Sequence, residues 1–312
     1  MTEDVIRNII RQELAADNMQ EDTIRRIIRE ELRANNSDIE GKIAYFTNLL
    51  PFATYMGDDT ILTKSYFGVM YLVSSYDSIV APYLIKNGVY ETELTKYLLN
   101  TVKPDSVFVD VGANIGYYTC LAARRISNGK VFAFEANDRA FSLLQRNIMI
   151  NWVDCPISLE KVAVSNKKGE VMFKNYKYKF VNSQILTQKE EGEMNASDVV
   201  KVPTLSLDEY FEKGQRIDFL KVDVEGAELN VLQGAQRIIE ENPGMRILME
   251  WSVPQLKTQG TNPGDILTLL KGFNFRPSIL DWRDGSSSSI TYEYISQKDY
   301  ICSVLLERFP EA

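Results

Sequence analysis

No histidine occurs anywhere in the 312 residues. That absence excludes His-containing metal sites and Ser-His-Asp triads, and it leaves Asp, Glu, Lys, Tyr or Cys to serve as any general base. Cysteine is scarce too. Cys120, Cys155 and Cys302 are far apart, match no CxxC or metal-ligand spacing, and fit a reducing compartment better than a disulfide framework. No apolar run approaches the roughly 18 residues that a spanning helix requires. The stretch Met1-Thr2-Glu3-Asp4 is acidic, unlike a signal peptide. The expectation is a cytoplasmic protein without a transmembrane segment. Positive charge is also short, with 35 Lys and Arg against 43 Asp and Glu and a net charge of −8. An acidic balance argues against nucleic acid as the main partner, because phosphate binding needs a basic surface.

What is present divides into three parts. Over residues 1–38, Asp4–Leu14 is echoed by Asp22–Leu32 at an offset of 18 residues, which is five helical turns. Ile6, Ile9, Ile10, Leu14, Ile24, Ile27, Ile28 and Leu32 then form one amphipathic stripe, on one helix or on two broken near Asp17. Three roles compete for it: packing on the chain's own catalytic domain, self-association into a homo-oligomer, or contact with a membrane surface. Residues 39–100 read as a mainly helical, aromatic-rich cap, with short β-like pieces around Tyr66–Ser74. Residues 101–312 alternate strand and helix, which predicts a mostly parallel sheet covered on both faces. The Ser286–Ser289 run reads as a flexible loop.

The chemistry begins where strand Val107–Val111 runs into Gly112-Ala113-Asn114-Ile115-Gly116 and straight into a helix. Such a turn lets the backbone approach a ligand, although glycines in strand-to-helix turns are common. The next strand ends at Glu135, nineteen residues after Gly116. A carboxylate there is where nucleotide-binding α/β folds meet ribose hydroxyls. The loop lacks the G-x-G-x-x-G that cradles a pyrophosphate, and it carries Asp110, suited to an ammonium. The residues therefore favour S-adenosylmethionine over NAD. Strand Phe219–Val222 delivers Lys221, Asp223, Glu225 and Glu228 to the carboxyl end of the sheet, and Glu250 follows another strand. Acidic residues near a helix N-terminus are also what the helix dipole favours without any chemistry, and Glu228 suits that reading best.

At these residues the chain resembles the FkbM family of methyltransferases. The motifs are Gly88-Val89-Tyr90-Glu91, VFVDVGANIGYYT at 107–119, VFAFEA at 131–136, Asn147 and Asn151, AVS at 163–165, VPTLSLDEY at 202–210 and IDFLKVDVEGAELNVLQGA at 217–235. Departures are Ala136 in place of the usual proline, Asp105 in place of glycine, and Trp251-Ser252 after Glu250 where relatives show a polar motif ending in histidine. The resemblance implies a Rossmann-like class I methyltransferase fold with a seven-stranded sheet. It implies S-adenosylmethionine held by Tyr90, Glu91, Asp110, Gly112, Ala113, Asn114, Gly116, Glu135, Ala136, Ala163 and Asp223. It also implies O-methylation of a hydroxyl, on a sugar of a glycan or glycolipid or on a polyketide. Asp223, Glu225, Glu250 and Lys221 are the expected reacting-end residues. Magnesium held by the same carboxylates and a non-catalytic scaffold are the rival readings. Aromatic side chains at Tyr45–Tyr76 and Tyr176–Phe180 could stack on a sugar or pack a core.

Overall fold

The computed structural model describes residues 52–174 and 199–308. The helical repeat of residues 1–38, Tyr45 and Tyr176–Phe180 lie outside the described residues.

Where a mainly helical cap was expected, the described chain opens with an antiparallel meander of β1 (Ala53–Gly57), β2 (Thr60–Lys64) and β3 (Met70–Ser74). The physical reason lies in the connection. Asp58 and Asp59 both have positive φ, 47° and 57°, the backbone of the tight turns that match strand twist. Thr60, Ile61 and Thr63 are β-branched and suit a pleated surface. Helices α1 (Val80–Asn87) and α2 (Thr92–Thr101) follow.

The main sheet then alternates with helices: β4 (Val107–Val111), α3 (Tyr117–Arg125), β5 (Lys130–Phe134), α4 (Asp138–Ile150) and β6 (Ile157–Glu160). The extended segment does not continue into the main sheet after β6. The next strand, β7 (Ala163–Val164), joins a separate three-stranded sheet with β8 (Gly169–Lys174) and β9 (Val199–Leu205). After α5 (Leu207–Tyr210) come β10 (Phe219–Val222), α6 (Glu228–Gln233), α7 (Gln236–Glu241), β11 (Arg246–Ser252), α8 (Val253–Thr258), α9 (Pro263–Gly272), β12 (Arg276–Leu280), β13 (Ser287–Ser289), α10 (Tyr292–Ser296) and β14 (Tyr300–Glu307).

The main sheet has the order β13-β12-β14-β11-β10-β4-β5-β6. Only β13 and β14 oppose the direction of the other strands. Among the described residues eight strands stand where seven were expected, because the serine run forms an edge strand instead of a loose loop. Its hairpin is pinned on α2, where Lys96 Nζ donates to Trp282 O and Arg283 O at 2.9 and 2.7 Å.

The central strands are buried on both faces, as parallel strands under helices must be. Val109, Val111, Phe134, Leu220, Val222 and Ile247 pack one core. Phe108, Val131, Phe219 and Leu248 pack the other, against the meander and α1–α3. Asn147 and Asn151, four residues apart on α4, close the free edge of β3. Their amides exchange hydrogen bonds with the backbone of Leu72 and Met70 at 2.7–3.1 Å. The two asparagines thereby imitate a neighbouring strand. From β4 the chain winds toward β6, then returns to β10 and β11 on the other side. That reversal opens a crevice at the carboxyl ends of β4 and β10. Among the described residues, no helix is long and apolar enough to cross a membrane.

Candidate active site

A cavity of about 250 Å³ lies in that crevice. Its floor is the turn after β4. Gly112 has φ +76°, and a Cβ there would stand 1.8 Å from the carbonyl oxygen of Asp223, so only bare backbone fits between the two strands. The amides of Gly112 and Ala113 both donate to Phe134 O at 3.0 Å. Gly116, φ +85°, serves packing: a Cβ would meet Leu144 Cδ1 at 2.4 Å.

One wall is built around Glu135. Its Oε2 accepts from Asn114 N at 2.8 Å and its Oε1 from Asn137 N at 2.7 Å. These bonds fix the carboxylate while leaving lone pairs for a ligand's hydroxyls. Burial nevertheless pushes the carboxyl up to about 7, against the pull of the two amides.

The opposite wall carries most of the charge. Lys221 and Asp110 are partners in register on adjacent strands, so both point at the α3 side. Asp110 is 0 % exposed and accepts from Thr119 Oγ1 at 2.6 Å. Lys221 Nζ lies 3.0 Å from Asp223 Oδ2, 3.7 Å from Asp110 Oδ1 and 5.2 Å from the centre of the Tyr118 ring. Burial opposes the ammonium, but Asp223 and Asp110 outweigh it and hold its pKa above the usual lysine value. Glu91, in a left-handed conformation at the start of α2, accepts from the Tyr118 hydroxyl. Burial and then Asp223 push its carboxyl up. Glu225 is pushed up to about 8 by burial, Asp223 and Glu228, and Gln255 Nε2 donates to its Oε2. Glu250 rises to about 9 from burial and the same carboxylates.

The cavity thus gathers Tyr90, Glu91, Gly112, Ala113, Asn114, Glu135, Ala136, Ala163, Lys221, Asp223, Glu225 and Glu250. Asp110 and Gly116 lie beneath it and are not on its wall. Asp110 faces Lys221, whose Nζ lies 3.7 Å from its Oδ1. Glu228 also stays off the wall, because its Oε1 accepts from Val224 N and Gly226 N and shapes the loop after β10. Sequence reasoning missed Ile79, Tyr118, Phe134, Phe173, Gln255 and Tyr300, which also line the cavity. Tyr118 was legible as the side chain beside Tyr117 in the first turn of α3. Gln255 carries no motif, and only the fold brings it to Glu225.

Carboxyl groups whose pKa values are raised by burial and by one another ionise more readily beside a positive charge, so the wall suits a cationic ligand. It fits the sulfonium and ammonium of S-adenosylmethionine, and it offers a pyrophosphate nothing. Residues 110–277, just over half of the chain, match the family model described as the methyltransferase FkbM domain. Methyltransferase sdnD of Sordaria araneosa is 27 % identical over 223 residues, spanning 62 % of this chain and 84 % of that protein. Hexuronic acid methyltransferase AglP of Haloferax volcanii is 26 % identical over 182 residues, spanning 58 % of this chain and 67 % of that one. A solved SAM-dependent O-methyltransferase from Thermotoga maritima superposes with a TM-score of 0.37 at 14 % identity, over 72 % of this chain and 68 % of its own. So loose a likeness adds nothing to the assignment. The chain belongs to the FkbM methyltransferase family, and S-adenosylmethionine is its cofactor.

Proposed function

We propose that the protein methylates a hydroxyl oxygen, and that the hydroxyl belongs to a sugar of a glycan or glycolipid. The observation that carries this reading is the grouping of Asp223, Glu225 and Glu250 on one cavity wall, with Lys221 bound to Asp223. The bound cofactor supplies a methyl group on a sulfonium, already activated for in-line displacement. The chain must then align the acceptor oxygen, exclude water and accept one proton. Asp223 is the carboxylate of the three with an ammonium against it. Lys221 holds its Oδ2, leaving Oδ1 to take the hydroxyl proton. Burial keeps Glu225 and Glu250 largely protonated near neutral pH, so they serve better as hydrogen-bond partners than as the base. Tyr90 and Glu91 close the methionine end. A relative named for hexuronic acid methylation supports a sugar as acceptor.

The test is transfer of radiolabelled methyl from S-adenosylmethionine to a glycan panel by the wild type and Asp223→Asn. Turnover should fall by about 10²-fold or more with cofactor binding retained, the scale of losing a general base. Full activity in Asp223→Asn would remove Asp223 from this role.

A further inference from the structure

Gly226 has φ +101°, and a Cβ there would come within 2.6 Å of the Gln255 carbonyl oxygen. The loop after β10 therefore presses directly on α8 and brings Glu225 against Gln255. Gln255 Nε2 donates to Glu225 Oε2, which fixes the amide and commits its nitrogen. Gln255 Oε1 is left buried without a hydrogen-bond partner, and so is Glu250 Oε2. Both residues line the cavity. A buried polar atom without a partner is costly, and a ligand that completes it gains what the empty site lacks.

We infer that Gln255 and Glu250 form the subsite that selects the acceptor, that it takes the hydroxyls of a neutral sugar, and that Gln255 is a specificity-determining residue of the methyl transfer. This rests on the sugar reading above. Each unpartnered oxygen calls for a hydrogen-bonding group on the acceptor, as the hydroxyls of a sugar ring provide. Hydroxyls both donate and accept, so they fit Glu250 whether it is protonated or not. A carboxylate or phosphate donates nothing and would leave the Gln255 Oε1 acceptor unpartnered. Among the described residues lining the cavity, Lys221 is the sole cation, and it is committed to Asp223 and Asp110. The subsite thus departs from what a uronic acid requires.

The experiment compares methyl glucopyranoside, methyl glucosaminide and methyl glucuronide as acceptors. Each is assayed with wild type, Gln255→Leu and Gln255→Lys, and cofactor affinity is measured in the same preparations. Wild type should prefer the neutral glycoside. Gln255→Leu should raise KM for it about tenfold, the scale of one lost hydrogen bond, with kcat and cofactor affinity within twofold. Gln255→Lys should shift preference toward the glucuronide. Equal use of glucuronide or glucosaminide by the wild type, or an unchanged KM in Gln255→Leu, would overturn the inference and leave the sugar reading standing. Cofactor binding with no glycoside methylated would overturn both.

Discussion

Lys221 and Asp110 are cross-strand partners on β10 and β4, and the ammonium of one lies 3.7 Å from a carboxylate oxygen of the other. Both are almost fully buried, at 4 % and 0 % exposure. Removing one member of such a pair leaves an uncompensated charge. Lys221→Met should therefore cost about 3–5 kcal/mol of stability, read as a lower midpoint in urea unfolding. An unchanged midpoint would show that Asp110 is protonated in the fold and needs no partner.

The same lysine bears on metal dependence. Its ammonium stands between Asp110 and Asp223, where a divalent ion would bridge two carboxylates. Methyl transfer should therefore be unaffected by a chelator such as EDTA. A loss restored by added magnesium would contradict this.

The raised carboxyls at Glu135, Glu225 and Glu250, at about 7, 8 and 9, predict a pH dependence whose sign is fixed. Folding raises these values, so the folded chain keeps protons that the unfolded chain releases near pH 4.5. Their contribution to stability is fully present below that point and is lost as pH rises through about 7 to 9. The apo-protein should melt at progressively lower temperature from pH 6 to pH 9. A cofactor bearing a sulfonium relieves the same repulsion, so its stabilising shift should grow over that range. S-adenosylhomocysteine, without that charge, should show the weaker trend. Thermal melts in matched buffers decide it, and a cofactor shift that shrinks with pH would contradict the electrostatic reading.

Two glycines of one motif should differ in cost. At Gly112 an added Cβ meets backbone, while at Gly116 it meets the end of the Leu144 side chain. Both substitutions carry the strain of a positive φ, but only the leucine can yield. Gly112→Ala should abolish folding or cost more than about 4 kcal/mol, and Gly116→Ala clearly less. Equal costs in denaturant unfolding would refute the assigned contacts.

The catalytic layer was legible because its strands carry a nearly uninterrupted apolar pattern and its turns carry glycine at fixed offsets. Glu135 and Asp223 could be placed at strand ends on that basis alone. Of the meander only β3 was foreshadowed, by the β-like pieces around Tyr66–Ser74; β1 and β2 were not, since their signal is an Asp58-Asp59 turn with no apolar alternation strong enough to override the aromatic content around it. Asp110 shows a different limit. Its position at a ligand-facing strand end was readable, but its orientation depends on Lys221 in a strand more than a hundred residues later. Gln255 escaped notice because its partner Glu225 is thirty residues away and the pair depends on the conformation of Gly226.

Calorimetric titration of S-adenosylmethionine into wild type and Glu135→Ala tests the assigned cavity most directly. The wild type should bind with a Kd on the order of micromolar, and Glu135→Ala at least about tenfold more weakly. Equal affinity in the two proteins would place the cofactor elsewhere and contradict the site described.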